Sequence, residues 1–358
     1  MISEKVKKLR PYVAGIQPIG DGWIKLNTNE NPYPPSSTVA NAIKNFDFAR
    51  LRLYPDGDSN VLREAISQEF SLGATACCFV GNGSDEILSI ALQTFFSGKT
   101  NILTPDISYG FYSVWAQMYD IGLTQIPLNQ DFSIDVSQYR NGNGVIIANP
   151  NAPTSIALSK LEVEEIVKNN PKGVVIVDEA YVDFGAETAI HLTKKYDNLL
   201  VVRTFSKSYS CAGLRTGFAV GNSQLISAMI KVKNSFNSYP LDMLAQIGVK
   251  SALQDGKYFH ENLGRIIVTR DKTVKALKEL GMNVLNSSTN FLFVEFENAK
   301  EVYEKLFERK ILVRYWDKPR INKFLRVTIG AKEETEAFIQ CVKQLQQEKL
   351  GKLKLKLP

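Results

Sequence analysis

The sequence has few of the side chains that most often bind metals or act in hydrolysis. Its 358 residues include only two histidines, His191 and His260, and four cysteines. Neither histidine lies in a triad or metal-ligand pattern, and the adjacent pair Cys77 and Cys78 lacks the C-x-x-C spacing of zinc and redox sites. We therefore expect no metal, no disulfide framework and no histidine-based hydrolysis. Acid–base chemistry would then fall to lysine, tyrosine and carboxylate side chains.

Long apolar runs are also missing, and the opening residues MISEKVKKLR lack the apolar core of a signal peptide. A hydrophobic content of 44% and a charged content of 22% are typical of soluble globular proteins, and the chain is long enough for two domains. Part of the net charge of +6 lies in the basic tail 349–356, which we interpret as a solvated terminus. We expect a cytoplasmic protein without nucleic-acid or membrane partners.

The middle of the chain alternates buried strands with helices. Apolar, β-branched runs recur in VIIANPNAPT, GVVIVDEAYVDF, LLVVRTFSK and TGFAVGN, with helical segments between the first three. This order predicts an α/β fold whose mostly parallel central sheet is covered by helices on both faces. Ligands of such sheets bind beyond the carboxyl ends of the strands, which is where Asn151, Asp178, Tyr181 and Lys207 fall.

The two ends of the chain differ from its middle. Residues 1–35 are rich in Pro, Gly and Asn and predict an extended arm rather than a helix. Asp58 or Ser59 is expected to cap a helix after a turn, and residues 241–280 read as one long helical stretch. Three strand-like runs follow, NFLFVEF, ILVRYW and FLRVTIG. We predict an arm at 1–35, a large domain at 36–245 and a small C-terminal α/β domain at 246–358.

The run LLVVRTFSKSYSCAGLRTG carries the clearest chemistry. A buried strand leads into Lys207, which lies between Ser206 and Ser208, and Arg215 follows between two glycines. A lysine at the end of a buried strand is readily desolvated, and a desolvated amine is a nucleophile near neutral pH. The serines and the arginine suit a phosphate. Together they indicate an aldehyde cofactor that carries a phosphate, whereas S-K-S alone would more often be a solvated surface loop.

Two further stretches offer cofactor contacts. FVGNGSDEIL reads as a strand, a glycine turn and a helix that begins near Gly83, Ser84 and Asp85. The N–H groups at a helix N-terminus bind anions, so this junction could complete the phosphate site, although helix capping alone would also explain it. Tyr109 precedes an aromatic-rich helix, where its ring would cover a flat cofactor or pack in the core.

The segments NPNAPT, VDEAYVDF and TFSKSYSCAGLRTG resemble, in order and spacing, the fold-type I aminotransferases that use pyridoxal 5′-phosphate. The resemblance covers nearly the whole chain. Within that family, LNTNENPYPPS, RLYPDGD and FVGNGSDEIL are similar to the histidinol-phosphate aminotransferases of histidine biosynthesis. The resemblance implies a large domain with a mostly parallel sheet, a smaller C-terminal domain and pyridoxal phosphate as the cofactor. Ser155 stands where the family commonly has glycine, a difference expected to affect a turn rather than a contact.

The resemblance also implies roles for the polar residues at the strand ends. Lys207 would hold the cofactor and move the reaction's proton as base and then acid. Asp178 would keep the ring nitrogen protonated, while neighbouring Glu179 should point the other way along the strand. Asn151 and Tyr181 would contact the phenolic oxygen of the cofactor. The remaining cofactor contacts implied are Asp85, Tyr109 on the ring, and a phosphate site of Gly83, Ser84, Ser206 and Arg215 that Tyr54 reaches from the neighbouring subunit of a homodimer.

Substrate residues follow from the same resemblance. Arg326 matches the family's anion-binding arginine and Arg314 is a second candidate, because planar guanidinium groups suit both carboxylates and phosphates. For either arginine the alternative is a surface salt bridge, and we favour the anion-binding role for both. Tyr12 and Asn29 are expected to line the substrate pocket. The substrates implied are histidinol phosphate and the pair glutamate and 2-oxoglutarate.

Other functions use the same scaffold. Aromatic-amino-acid transaminases and threonine-phosphate decarboxylase would keep the cofactor residues and differ in how the substrate is oriented. A transcriptional regulator built on an aminotransferase-like domain would need a DNA-binding module, for which the short arm before Asn29 leaves no space. We therefore expect an aminotransferase.

Overall fold

A computed structural model describes residues 1–354 apart from positions 97, 99, 141 and 143, and it leaves out the side chains at 76 and 349–354. The predicted solvated tail at 349–356 therefore lies outside the described side chains. No helix in the described part of the chain is long and apolar enough to cross a membrane. The described α-helices are α1 (Glu4–Lys8), α2 (Ser37–Lys44), α3 (Asn60–Glu69), α4 (Gly83–Phe95), α5 (Phe111–Met118), α6 (Lys160–Asn169), α7 (Ser223–Asn234), α8 (Met243–Gln254), α9 (Gly256–Glu279), α10 (Ala299–Glu308) and α11 (Lys332–Lys354).

Strands and short 3-10 helices complete the described elements. The strands are β1 (Ile24–Lys25), β2 (Cys78–Gly81), β3 (Asn101–Pro105), β4 (Gly122–Ile126), β5 (Gly144–Ala148), β6 (Val174–Asp178), β7 (Leu199–Thr204), β8 (Gly217–Gly221), β9 (Phe291–Glu295), β10 (Ile311–Leu312), β11 (Arg314–Tyr315) and β12 (Phe324–Thr328). The 3-10 helices are Phe48–Arg52, Thr75–Cys77, Val136–Gln138, Val182–Phe184, Ile190–Lys194 and Ala212–Leu214.

The central sheet has seven strands in the order β2-β8-β7-β6-β5-β3-β4. Strand β8 runs antiparallel to its neighbours β2 and β7, and the other neighbouring pairs are parallel. Successive side chains of a strand point to opposite faces. Val175 and Val177 accordingly pack into one core cluster, with α3, α6 and α8, while Ile176 packs into another, with α4 and α5. The predicted mostly parallel sheet, covered on both faces, is confirmed.

The C-terminal part forms its own small sheet. Strands β11, β12 and β9 are antiparallel neighbours in that order, and their apolar residues pack on α9, α10 and α11. The run ILVRYW is not one strand, because β10 pairs in parallel with β1 of the N-terminal arm. The arm is thereby attached to the C-terminal part of the chain. The division into domains at 36–245 and 246–358 stays a prediction.

The start of α3 differs from the sequence expectation. Ser59 has a left-handed backbone (φ 50°) and makes no side-chain capping bond, and Asp58 instead forms an ion pair with Lys233. The backbone N–H of Asn60 donates to the Asp56 carboxylate at 2.8 Å. The capping carboxylate therefore lies further back along the turn than predicted, because the turn brings Asp56 over the helix N-terminus.

Two other local expectations also need correction. The predicted helical stretch 241–280 is two helices, α8 and α9, separated at Asp255, whose side chain caps α9. The arm contains the short helix α1 in addition to extended backbone. Helix α1 has Ser3 as its N-cap, and its five residues bury no side chain.

The ends of several strands meet at one edge of the central sheet. Strands β5, β6 and β7 end at Ala148, Asp178 and Thr204 on that edge, and β2 ends there at Gly81. Because β8 is antiparallel, it begins on the same edge, at Gly217. The loops that leave these ends bring together residues far apart in the sequence.

Candidate active site

A cavity of about 440 Å³ opens at this edge of the sheet. Residues of the arm, the central sheet and the small sheet all contribute to its wall. Most of the residues predicted for the site line it, but Gly83, Asn151 and Tyr54 are not among the lining residues. The predicted residues that the structure brings together are Tyr12, Asn29, Ser84, Asp85, Tyr109, Asp178, Tyr181, Ser206, Lys207, Arg215, Arg314 and Arg326.

Lys207 is carried by the loop that follows β7. Its amine donates to the backbone carbonyl of Thr28 at 3.2 Å and lies 5.9 Å from the centre of the Tyr181 ring. Burial, and after it the positive charge of Arg326, lowers the pKa of Lys207 to about 8, because both disfavour the ammonium form. An amine with this pKa is partly neutral near pH 7, which is the form that attacks an aldehyde.

Asp178 ends β6 at the bottom of the cavity and is only 4% exposed. Its carboxylate accepts hydrogen bonds from the Tyr112 hydroxyl at 2.9 Å and the Ala180 N–H at 3.2 Å. Burial raises the pKa of Asp178 to about 6, and these two hydrogen bonds oppose the rise. Glu179 faces away, as alternation predicts, and accepts from the Ala189 N–H at 2.6 Å. A buried carboxylate at this point can pair with a protonated ring nitrogen.

The N-terminus of α4 and the Arg215 loop meet at one end of the cavity. Gly83 has φ +82°, and a Cβ added there would lie 2.7 Å from Nη2 of Arg215. A Cβ on Gly217 would lie 2.8 Å from the backbone nitrogen of Ser84. Only glycine allows this approach, which places a guanidinium group beside the positive end of a helix. The arrangement suits a phosphate.

Ser206 completes that end of the cavity. Its hydroxyl lies 3.0 Å from the Thr204 hydroxyl, and its backbone N–H donates to the same Thr204 oxygen at 3.1 Å. Thr204 also lines the cavity, although the sequence analysis did not single it out. The end of β7 therefore presents two hydroxyl groups beside Lys207.

Asp85 holds other side chains of the cavity in place. The Tyr109 hydroxyl donates to its carboxylate at 2.9 Å, and Arg215 Nη2 lies 3.8 Å from its other oxygen. A carboxylate would repel a phosphate, so this geometry favours an orienting role for the Asp85 side chain. The Tyr109 ring packs against Tyr12 and Trp115, with ring-centre distances of 5.9 Å and 6.3 Å.

Asn151 lies behind the wall of the cavity. Its side-chain nitrogen donates to the Ile107 carbonyl and the Thr154 hydroxyl, both at 2.9 Å, and its oxygen accepts from Ser108 at 2.8 Å. These bonds join the loop after β5 to the loop after β3. A contact between Asn151 and the cofactor's phenolic oxygen stays a prediction.

Ser155 closes the turn after Asn151. Its backbone is left-handed (φ 67°), the conformation that glycine adopts most easily, and its hydroxyl donates to the Asn286 carbonyl at 3.0 Å. The departure from the family's glycine therefore lies in a turn, as expected.

Tyr181 connects the cavity to the arm. Its hydroxyl accepts from the Asn29 side-chain amide at 3.0 Å, and burial raises its pKa. Asn29 has φ 56°, and its backbone N–H donates to the Thr328 hydroxyl at 3.0 Å. The left-handed backbone at Asn29 thus aims its side chain at Tyr181 while its main chain is bound to β12.

Arg326 projects from β12 into the far end of the cavity. Its Nη2 donates to the Asn27 carbonyl at 2.7 Å, and its guanidinium carbon lies 5.3 Å from the ring centres of both Phe291 and Trp316. Its Nε is buried without a hydrogen-bond partner among the described residues. An unpaired charged donor in a cavity is costly unless an anion binds there, so this end of the cavity suits an anionic ligand.

Arg314 pairs with Arg326 across the β11–β12 ladder. It donates to the backbone carbonyls of Val13, at 2.7 Å, and Ala14, at 3.1 Å. Arg314 therefore holds the arm against the cavity. Tyr12, in the same part of the arm, stacks on Phe111 with 4.3 Å between ring centres.

Tyr54 lies away from the cavity on the protein surface. Its side chain is 80% exposed and stacks on Tyr239 with 4.8 Å between ring centres. The turn that follows it is fixed by the buried Lys233, whose amine donates to the Gly57 carbonyl at 2.5 Å. A role for Tyr54 in another subunit stays a prediction.

Several residues around the cavity were missed by the sequence analysis. Tyr112, which donates to Asp178, follows Tyr109 at helical spacing, and that spacing could have placed both rings on one face. Thr28 and Glu30 line the cavity, and Asn31 bonds to the backbone of Lys207. The arm residues are far from Lys207 in sequence and leave no local signal.

These groups fit pyridoxal phosphate. A phosphate would lie between the α4 N-terminus, Ser206 and Arg215, and the ring nitrogen would meet Asp178. Lys207 would supply the amine for the aldehyde, and Tyr109 would supply an aromatic wall, since both line the cavity. The match rests on the chemistry of the donors and on the glycine-dependent approach at the phosphate end.

Comparisons with known proteins also identify aminotransferases. The family model described as Aminotransferase class I and II matches residues 21–342. The histidinol-phosphate aminotransferase of Acinetobacter baumannii strain AYE is 49% identical over 348 residues, 96% of this chain and 96% of that protein. The protein of that name from Brachyspira hyodysenteriae is 47% identical and covers 96% of this chain and 98% of its own.

Solved structures share the fold. The histidinol-phosphate aminotransferase from Clostridium acetobutylicum superposes with a TM-score of 0.82 at 22% identity, covering 90% of this chain and 99% of that one. The L-threonine-O-3-phosphate decarboxylase from Porphyromonas gingivalis superposes with a TM-score of 0.78 at 22% identity and the same coverage. At these identities the superpositions show a common fold.

Arg326→Gln should raise the pKa of Lys207, because removing a nearby positive charge favours the ammonium form. The pKa is measured on the cofactor-free chain from the pH dependence of competitive acylation of Lys207, followed by mass spectrometry. We expect a midpoint near pH 8 in the unmodified chain and a higher one in the variant. Arg140→Gln, at an exposed arginine, is the control and should leave the midpoint unchanged. Equal midpoints for the unmodified chain and Arg326→Gln would contradict the electrostatic assignment.

Proposed function

Because the chain belongs to the class I and II aminotransferase family, we propose that it is a pyridoxal-phosphate-dependent histidinol-phosphate aminotransferase. It interconverts L-histidinol phosphate and 2-oxoglutarate with imidazole-acetol phosphate and L-glutamate, in histidine biosynthesis. The observation that carries the proposal is one cavity lined by Lys207, Asp178 and three arginines, Arg215, Arg314 and Arg326. The near-full-length identity to proteins of this name supports the choice of substrate.

The bound cofactor supplies an electron sink that acidifies the carbon bearing the substrate's amine. Asp178 keeps the ring nitrogen protonated, and its hydrogen bonds from Tyr112 and Ala180 hold the carboxylate in place. Lys207 Nζ then removes the proton from that substrate carbon as a general base and gives it up again as a general acid. A pKa of about 8 suits both roles near neutral pH.

The phosphate end of the cavity orients the reaction. The N–H groups at the start of α4, the Ser206 hydroxyl and Arg215 bind the cofactor's phosphate, and Asp85 keeps Arg215 and Tyr109 in position. Tyr109 and Tyr181 limit movement of the ring, and Tyr181 supplies a polar contact near the phenolic oxygen. A contact from Asn151 requires its amide to release the Ile107 carbonyl or the Thr154 hydroxyl. Holding the reactants in place in this way lowers the barrier, because the translational and rotational entropy is lost on binding and not in the chemical step.

The arginine end of the cavity binds the substrate's anion. Arg326 offers an unpaired buried Nε, and Arg314 lies beside it across the β11–β12 ladder. A guanidinium group binds a phosphate ester or a carboxylate in the same planar geometry. This shared chemistry lets histidinol phosphate and glutamate use one site, with Tyr12 and Asn29 forming the wall around the substrate.

A panel of amines under single turnover tests the substrate. Histidinol phosphate and glutamate should each convert the bound cofactor to its amine form, which is followed by its absorbance. The physical reason is that both carry an anion for Arg326 and an amine for the cofactor. Much faster conversion by phenylalanine or tyrosine would favour an aromatic transaminase instead. Release of carbon dioxide from threonine phosphate would favour the decarboxylase.

The active enzyme in this proposal is a homodimer in which Tyr54 reaches the phosphate of the partner's cofactor. Support comes from exposed apolar side chains on two segments, 48–54 and 236–239, because exposed apolar surface often marks the site of a partner. The two segments meet where Tyr54 stacks on Tyr239. The exposed side chains are Phe48, Leu51, Leu53, Tyr54, Phe236 and Tyr239. We further propose that the enzyme acts in the cytoplasm, on small molecules, without nucleic-acid or membrane partners.

A mixed dimer separates the two possible placements of Tyr54. One chain carries Tyr54→Ala and the other Lys207→Ala. If Tyr54 acts across the interface, one of the two sites keeps both residues, and the mixture regains activity that neither parent homodimer has. The activity is measured after co-refolding, with each variant refolded alone as the control. Absence of rescue, or a fully active monomer, would rule out the shared site.

A further inference from the structure

The arm segment 26–31 contacts both the small sheet and the loop of Lys207. On the small-sheet side, the backbone N–H of Asn29 donates to Thr328, and Asn290 donates to the Asn29 carbonyl at 3.0 Å. On the other side, the Lys207 amine donates to the Thr28 carbonyl. The segment is therefore fixed on one side and faces the reactive lysine on the other.

Asn31 makes the second contact with that loop. Its side-chain nitrogen donates to the backbone carbonyl of Lys207 at 2.9 Å and to that of Ser208 at 3.4 Å. Its side-chain oxygen accepts from the Tyr33 N–H at 3.0 Å, which fixes the orientation of the amide. Asn31 is half-buried and is not among the residues that line the cavity. Its bonds thus act on the main chain of Lys207 and not on a ligand.

The opposite side of the loop is held by a separate group. The Ser208 hydroxyl donates to the Asp183 carboxylate at 2.6 Å, and Asp183 forms a buried ion pair with Arg203. The loop at Lys207 is therefore held between the central sheet, through Asp183, and the arm, through Asn31. Loss of either contact would free the loop on one side only.

Resting on the function proposed above, we propose that Asn31 is a positioning residue for Lys207: its amide fixes the backbone from which the lysine amine reaches the cofactor's aldehyde and the substrate carbon. The Lys207 side chain is long and has several rotatable bonds. The position of its amine therefore depends on a firmly held Cα. A displacement of about 1 Å can cost on the order of a hundredfold in rate when reacting atoms must align.

Two forms of the cofactor separate positioning from general damage to the site. Pyridoxal phosphate bonds to the Lys207 amine, whereas pyridoxamine phosphate has no aldehyde and cannot. In Asn31→Ala we expect capture of pyridoxal phosphate, followed by absorbance, to slow about tenfold or more. The Kd for pyridoxamine phosphate should stay within about twofold, and kcat should fall with little change in KM, because the phosphate and arginine ends of the cavity are untouched.

Asn198→Ala is the matched control. Asn198 immediately precedes β7, at the edge of the sheet opposite Lys207, and its amide donates to the carbonyls of Asn170 at 2.9 Å and Gly173 at 3.2 Å. The variant loses the same kind of amide-to-carbonyl bonds, so its Tm should fall. Its capture rate for pyridoxal phosphate and its kcat should match those of the unmodified chain.

Asn31→Asp provides a second test of the proposal if the alanine variant fails to fold. It keeps the acceptor for Tyr33 but loses the donor to Lys207 and Ser208, and it should show the same selective loss of pyridoxal phosphate capture. Equal losses for both cofactor forms, or no loss for either, would overturn the proposal. A selective loss alongside an inactive histidinol phosphate assay would support Asn31 as a positioning residue and count against the proposed substrate alone.

Discussion

The burial of one amine is the constraint on which the rest of this structure depends. The role proposed for Lys207 requires part of its amine to be neutral, and burial together with Arg326 and Arg215 disfavours the charged form. Glu30 and Asp85 act in the opposite direction and keep the pKa from falling further. The amine donates a hydrogen bond to a neutral acceptor, the Thr28 carbonyl. Two arginines and two carboxylates around one lysine thus set a pKa that suits a group serving as both base and acid.

The sheet topology places these charges together. Parallel strands β5, β6 and β7 end at one edge of the sheet, at Ala148, Asp178 and Thr204. Antiparallel β8 begins at that edge, so the loop before it places Arg215 beside the start of α4. Glycines at the crossing allow the guanidinium group to lie against the helix N-terminus. The arm adds a further element, because β1 pairs with β10 and the chain then runs past both Arg326 and Lys207. The arginine end of the cavity and the Lys207 amine are therefore connected through a few arm residues.

Much of this arrangement was predictable from the sequence, for physical reasons that are local. Buried parallel strands read as continuous apolar runs, and polar residues directly after them fall at the ligand-binding edge. Asp178 and Lys207 both follow such runs, and strand alternation directs Glu179 to the other face. The remaining contacts depend on pairs far apart in sequence. The bond from Asn31 to Lys207, the pairing of β1 with β10 and the cap of α3 by Asp56 all arise from tertiary packing, which leaves no periodic pattern.

The central claim is that Lys207 is the residue that holds the cofactor. Reduction of the cofactor-loaded protein with borohydride makes that bond permanent, and peptide mapping by mass spectrometry then locates the pyridoxyl group. We expect the label on Lys207, in the peptide that contains FSKSYS. A label on any other lysine, with Lys207 unmodified, would contradict it.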